Sequence, residues 1–351
     1  MNLLISRSGI FCDSGKVVGR MPIDHDIIID KGLNVHIVFG SMHPPGRIFT
    51  YIKYIPAEDA YGRQHSIWRF RGVPLRRVLE RYSVYHVEKI FDKYHRVEWD
   101  PVYGSKMPSI GYLDIIAHLL PEERGYEIYT NPKDPLEEKA SELMENVMRL
   151  TGIRLREIGV GGSMLGSFHS IGLSDIDLIV YGCRNAEEVY WKASEIGIPL
   201  SGDKLERWVR NAALLHDIPL EVARDMYSPY RRILFQGVET TFVFPEDPRR
   251  YGEEISINLG KCIEAKLVID AGQCRALQYP SRVEVAETLE ASGVGVRIDE
   301  VISYEGTYSP ILYRGGVLKI YGLIQLVLPR NIYRIAVGTR ECKGYISRIP
   351  G

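Results

Sequence analysis

The chain has 351 residues, 45% hydrophobic and 25% charged, with a net charge of −1. This is ordinary globular composition, long enough for two or three domains with buried cores, and it argues against collagen-like, disordered and disulfide-framework classes. Near-neutral charge gives no broad basic footprint for nucleic acid or a membrane surface, so any such surface must be local.

The first segment, 1–130, reads as β-rich. Asp26-Ile27-Ile28-Ile29 and Leu33 to Phe39 are strand-like, and so is Arg47 to Ile55. The turn cluster Ser41-Met42-His43-Pro44-Pro45-Gly46 predicts an antiparallel pair around it. Arg69, Arg71, Arg76, Arg77 and Arg81 then interleave with Trp68, Phe70 and Tyr82. Such a pattern suits either a single-stranded nucleic-acid surface or a solvated helix face. Asn131-Pro132-Lys133-Asp134-Pro135 reads as a linker.

The segment 133–250 alternates helix and strand. Leu136 to Leu150 carries apolar residues near a 3.6 period and predicts a helix stopped by Gly152. A strand over 155–160, a glycine-rich turn and a strand over 176–181 follow. Asn185 and Asp203 are expected helix caps, and 237–244 is a third strand. From Gly252 to Gly351, short β-branched stretches at 282–285, 296–298, 301–304, 317–320 and 332–337 predict a small barrel or sandwich. The expected fold class is α+β: a mixed-sheet core flanked by an N-terminal β-rich domain and a C-terminal barrel-like domain of residues 252–351.

Cys12, Cys183, Cys262, Cys274 and Cys342 are dispersed, with no CxxC pair and no zinc spacing, which predicts reduced thiols in a cytoplasm. The opening residues hold too short an apolar run for a signal peptide. No run approaches the roughly 18 apolar residues of a membrane helix, so no membrane partner is expected. Arginine outnumbers lysine and Asn and Gln are scarce, which fits a thermophilic source or GC-rich codon bias.

Chemistry concentrates between Ile158 and Gly182. Asp175 and Asp177 flank Ile176 at the start of a strand, so both carboxylates project from one face. Held so close they repel, and a divalent cation with oxygen ligands, Mg²⁺ or Mn²⁺, relieves that repulsion. Gly162-Ser163 ends the preceding strand in a turn whose amides suit phosphate oxygens. A phosphate cradle facing a carboxylate pair is equipment for phosphoryl or nucleotidyl transfer. No lysine follows the glycines as a P-loop requires, and Met164 stands where a dinucleotide fingerprint needs glycine. The bland alternative is a chance glycine turn and a surface Asp-x-Asp.

At Val160 to Ser163 and Ser174-Asp175-Ile176-Asp177-Leu178 the chain resembles the DNA polymerase β-like nucleotidyltransferase superfamily, and more narrowly the archaeal group of predicted nucleotidyltransferases. The loop His43 to Arg47 and the stretch Ser303-Tyr304-Glu305-Gly306-Tyr308 look like shared features of that group. The resemblance implies metal binding by Asp175 and Asp177 and phosphate contacts by Gly162 and Ser163, with a nucleoside triphosphate as substrate. It also implies a third carboxylate from a later strand. Glu239 is the only acid on 237–244, near its start; Thr241 shares its face, and Asp247 lies beyond the strand end. Lys204 and Arg207 can reach a triphosphate or simply line a solvated helix. His169 positions substrate or is a plain loop histidine. Arg231 and Arg232 bind nucleic acid or merely flank the strand.

The expected function is metal-dependent transfer of a nucleoside monophosphate from an NTP to RNA, a protein side chain or a small molecule. A second expectation is a non-catalytic nucleotide- or RNA-binding protein on the same core, favoured by the lack of an obvious third carboxylate. A third, an active site around His43, has no nucleophile–base pair behind it.

Overall fold

A computed structural model describes residues 5–6, 9–11, 17–18, 20–57, 68–79 and 83–349. Strands β1 (Ile5–Ser6), β2 (Gly9–Phe11) and β3 (Val17–Val18) form a small antiparallel sheet. The isoleucine run makes β4 (Ile27–Asp30). The expected pair appears as β5 (Val35–Val38) and β6 (Arg47–Pro56), joined antiparallel through the Pro44-Pro45 loop. The arginine–aromatic stretch is neither helix nor helix face. Trp68–Phe70 (β7) and Val73–Arg77 (β8) form a hairpin on the edge of β6, because β-formers flank the Arg71-Gly72 turn. Arg81 and Tyr82 lie outside the described residues. Helix α1 (Val84–Tyr94) leads into β9 (Arg96–Asp100), β10 (Ser105–Gly111) and β11 (Ile115–Leu119), giving the order β11-β4-β5-β6-β10-β9.

Helix α2 (Pro121–Thr130) and helix α3 (Pro135–Thr151) pack together, so residues 131–134 form a tight corner rather than a loose linker. Helix α3 matches its apolar period, burying Leu136, Ala140, Leu143, Met144 and Val147. Proline at its first position and the Asp134 cap, accepting from the Leu136 and Glu137 amides at 2.9 and 3.0 Å, fix its start. Gly152 caps its end.

The core sheet holds β12 (Ile158–Val160), β13 (Ile176–Val180), β14 (Ile198–Pro199), β15 (Ile233–Phe235) and β16 (Val238–Val243) in the order β12-β13-β16-β15-β14. The β13–β16 pairing is parallel and the others are antiparallel, so the sheet is mixed. Residues 155–157 are a 3₁₀ turn rather than strand. Between the strands run α4 (Gly162–Leu165), α5 (Cys183–Ile196), α6 (Gly202–His216) and α7 (Leu220–Asp225). Neither expected cap holds. Asn185 lies inside α5, its Nδ2 donating to the Tyr181 carbonyl at 2.7 Å, and Ser201 rather than Asp203 precedes α6.

The C-terminal part is a closed barrel. Strands β17 (Ile255–Ile269), β18 (Ser281–Ala291) and β19 (Glu300–Ser303) lead through α8 (Ser309–Arg314) to β20 (Gly316–Leu328) and β21 (Ile332–Val337). The order β17-β18-β19-β21-β20 returns to β17, and β22 (Tyr345–Arg348) adds to β20. Residues 296–298 are not a strand, while the long β17 and β22 were not anticipated.

The cysteine expectation is corrected. Cys183 is bonded to Cys274, tying the start of α5 to the barrel, and Cys262 is bonded to Cys342. Their partners lie 91 and 80 residues away, a distance at which spacing carries no pairing signal. Cys12 lies outside the described residues. Among the described residues, no helix is long and apolar enough to cross a membrane.

Candidate functional site

The site begins where β12 ends. The Gly161 amide donates to the Asp177 carbonyl at 2.8 Å, holding the turn against β13. Gly162 has φ +60°, and a Cβ there would lie 2.3 Å from Asp177 Oδ2. Only glycine lets the backbone approach the carboxylate this closely without strain. The turn opens α4, a single helical turn anchored by buried Met164 and Leu165. Ser163 Oγ donates to Ser174 Oγ at 3.2 Å, bringing the turn to the loop that carries Asp175.

Asp175 and Asp177 sit together as expected, at the edge and first turn-in of β13. Asp175 is partly open to solvent and Asp177 lies deeper. Burial, with the Asp175 charge added, pushes the Asp177 carboxyl above its usual range. The parallel register sets Asp177 beside Thr241 and brings Asp175 level with Glu239. Arg232, just before β15, joins the outer two acids: its Nη1 lies 3.0 Å from Asp175 Oδ2 and 3.5 Å from Glu239 Oε2. Burial works against the Arg232 charge, yet Asp175, Asp177 and Glu239 outweigh it and raise its pKa.

Gly162, Ser163, Asp175, Asp177, Arg232 and Thr241 form the floor of a cavity of about 510 Å³ between the core, the N-terminal sheet and the barrel, while Glu239 is exposed and does not line it. The N-terminal sheet contributes His25, Tyr51 and Lys53, and the barrel contributes Tyr304, Glu305 and Gly306. Asp24 and, more weakly, Asp177 raise the His25 pKa against the effect of burial. Thr241 Oγ1 is buried at the cavity without a hydrogen-bond partner among the described residues.

Gly162, Ser163, Asp175 and Asp177 thus converge, and Glu239 joins them through Arg232. Lys204 and Arg207 do not: both are exposed on α6, and neither lines the cavity. Of the residues not assigned to the site from sequence, Lys53 on β6 and His25 in the turn before β4 come from far away in the chain. Arg232 was visible only as one of an arginine pair before a strand.

His169 and Asp134 form a separate cluster with Glu137. Its ligand atoms are committed within the fold. Asp134 caps α3 and takes His169 Nε2 at 2.8 Å, while Glu137 accepts from the Lys133 amide at 2.9 Å and pairs with Arg124. This reads as a brace for the helix corner. His43 is likewise structural. Its ring contacts the Pro22 carbonyl at 3.0 Å and the Phe49 amide at 3.2 Å, and burial lowers its pKa to about 4.

Comparisons with family models, curated proteins and solved structures returned no match.

Proposed function

We propose that the chain is a metal-dependent nucleotidyltransferase acting on a nucleoside triphosphate. One observation carries this reading: the carboxylates of Asp175 and Asp177 meet the Gly162-Ser163 turn on the floor of a three-sided cavity. The donor set suits a hard divalent cation. Two like-charged oxygen ligands are packed together, one is desolvated, and the neighbouring Thr241 hydroxyl lacks a partner. Mg²⁺ or Mn²⁺ held by Asp175 and Asp177 would neutralise charge developing on the α-phosphate.

In this reading the Gly162-Ser163 turn receives the phosphates and Arg232 supplies positive charge beside them. An acceptor hydroxyl attacks the α-phosphorus. The new O–P bond forms, the bond to the β-phosphate bridging oxygen breaks, and pyrophosphate leaves. Glu239 takes the hydroxyl proton. The acceptor class is RNA, a protein side chain or a small molecule. Two disulfides are compatible with a cytoplasmic enzyme from a hyperthermophile, where intracellular disulfides persist.

A second reading, nucleotide or RNA binding without catalysis, draws on one feature. Thr241 rather than an acid stands beside Asp177, and a guanidinium already occupies the space between Asp175 and Glu239.

The test incubates the protein with each α-labelled NTP, Mg²⁺ or Mn²⁺, and pools of RNA, protein and small metabolites. Transfer of label that vanishes in Asp175→Asn/Asp177→Asn supports the proposal. Label transfer that persists in the double variant defeats the assignment. Thermal stabilisation by NTP with no transfer to any pool favours the binding reading.

A further inference from the structure

Two consecutive arginines behave differently at this cavity. Arg232 is compensated by Asp175 and Glu239. Arg231 also lines the cavity, yet its guanidinium has no ion pair or hydrogen bond among the described residues, and its Nε is buried without a partner. Burial lowers its pKa, and only the Tyr230 hydroxyl opposes that effect, while Arg232 adds to it. Its other titratable neighbour, His216, is held near pKa 4 mainly by burial and is hydrogen-bonded to Thr307 Oγ1 at 2.9 Å. Among the described residues no carboxylate supplies the missing charge.

A half-buried cation whose Nε is withdrawn from water and unpaired carries a desolvation cost that no partner offsets. Its position says what would offset that cost. A Cβ on Gly306, in the barrel loop that lines the cavity, would lie 3.8 Å from Arg231 Nη1. Gly162 approaches Asp177, Asp175 pairs with Arg232, and Arg231, the residue before Arg232, meets the barrel loop. Arg231 thus stands against the barrel loop. The guanidinium fork matches the oxygens of a phosphate group better than any other common anion except a carboxylate, and binds it in two-pronged fashion.

Resting on the nucleotidyltransferase reading, we infer that Arg231 marks a second anion subsite, on the barrel side of the carboxylates, that holds the phosphate ester of a small phosphorylated acceptor. A cavity of about 510 Å³ that must also admit the triphosphate leaves room for a compact molecule. The near-neutral chain offers no extended footprint for a polynucleotide.

The experiment uses the full chain with Mg²⁺ and a saturating α,β-methylene ATP, whose binding is measured first. Calorimetric titrations then add ribose 5-phosphate, inorganic phosphate, unphosphorylated ribose or a single-stranded RNA tetranucleotide. The inference expects ribose 5-phosphate and phosphate to bind and ribose not to. Arg231→Met should weaken the phosphate probes at least tenfold and leave the affinity for the ATP analogue within about twofold. Arg231→Lys, which keeps a charge without the fork, should fall between. A stability readout separates a ligand-directed arginine from a structural one. Without ligand, Arg231→Met should melt no lower than the natural chain, and it should lose the rise in Tm given by phosphate. Equal phosphate binding in all three proteins overturns the subsite, as does no phosphate binding at all. Binding of the tetranucleotide alone overturns the small acceptor in favour of RNA. Failure of the ATP analogue to bind counts against the transferase reading, and the phosphate titration repeated without nucleotide then judges Arg231 by itself.

Discussion

At Gly162 an added methyl carbon would lie 2.3 Å from Asp177 Oδ2. The carboxylate would have to retreat by about 1 Å to reach ordinary contact. Because the obstructing atom is the end of a side chain, rotation about the Asp177 bonds relieves the clash at little thermodynamic cost. The backbone penalty is separate: alanine at φ +60° costs about 1–2 kcal/mol. Gly172, in the loop between the turn and Asp175, supplies the control. It has φ +83°, and a Cβ there meets nothing within 4 Å. Gly162→Ala and Gly172→Ala should therefore lose similar stability, about 1–2 kcal/mol each by denaturant unfolding. Only Gly162→Ala should displace the carboxylate. A 1 Å misplacement of a reacting group costs about 100-fold in rate, so label transfer should drop by about that factor in Gly162→Ala. Mn²⁺ affinity, read by calorimetry, should weaken with it, and both should be nearly unchanged in Gly172→Ala. If the two variants bind Mn²⁺ and transfer label alike, the close approach of Gly162 to Asp177 has no part in the site.

Acid should destabilise the fold in two windows. His43, His95 and His216 are held near pKa 4, mainly by burial, so the unfolded chain takes up protons first and stability falls as pH drops from 6.5 towards 4. Glu254 works lower. Burial alone would raise its pKa, but Arg282 at 3.0 Å, Arg330 at 2.9 Å and Arg249 at 3.2 Å outweigh it and hold the carboxyl down at about 2. Its contribution, on the order of 2 kcal/mol after solvent screening, is present above pH 4.5 and lost as pH falls through 2. Glu254→Gln should flatten that lower limb in pH-dependent unfolding, and an unaltered limb would clear Glu254 of the role. Reducing the chain, or replacing Cys183 with serine, should cost about 2–5 kcal/mol, because the Cys183–Cys274 bond closes a long loop between α5 and the barrel. No shift in the unfolding midpoint under reductant would contradict this. Arg232→Ala removes a cation that competes for Asp175, so Mn²⁺ should bind several-fold more tightly and NTP more weakly. Unchanged affinities for both would show that Arg232 serves only the fold.

The elements legible in the sequence are those specified locally. Helix α3 carries its own period, its Asp134 cap and its Gly152 stop, and the isoleucine run of β4 needs no partner to declare itself. The Gly162 turn and the Asp175/Asp177 pair are equally local, and they converge as their spacing implied. What escaped is non-local. The polar middle of β17, Asn258 to Cys262, hides a fifteen-residue strand whose pairing with β20 closes the barrel. The β7–β8 hairpin misled because its arginines looked like one face of a helix, whereas the alternation of Trp68 and Phe70 decides the matter only once β6 offers an edge. Lys204 and Arg207 share a helix face with nothing in the sequence to say which way that helix turns, and it turns them to solvent.

The question of the third carboxylate shows how one register decides between readings that composition leaves equal. With Ile176 beside Thr240, the only acid on β16 falls level with Asp175 and not with Asp177. The site is therefore asymmetric. Its inner end joins Asp177, Gly162 and the unpartnered Thr241 hydroxyl, a place suited to one desolvated cation. Its outer end joins Asp175, Glu239 and Arg232, where a guanidinium already balances two acids. In the proposed transferase, that fixed positive charge would steady a triphosphate without a second metal. Under that reading the site serves above all to position its substrates. That places the burden of selectivity on the walls that the N-terminal sheet and the barrel add to the cavity, where Lys53, Tyr304 and Arg231 stand.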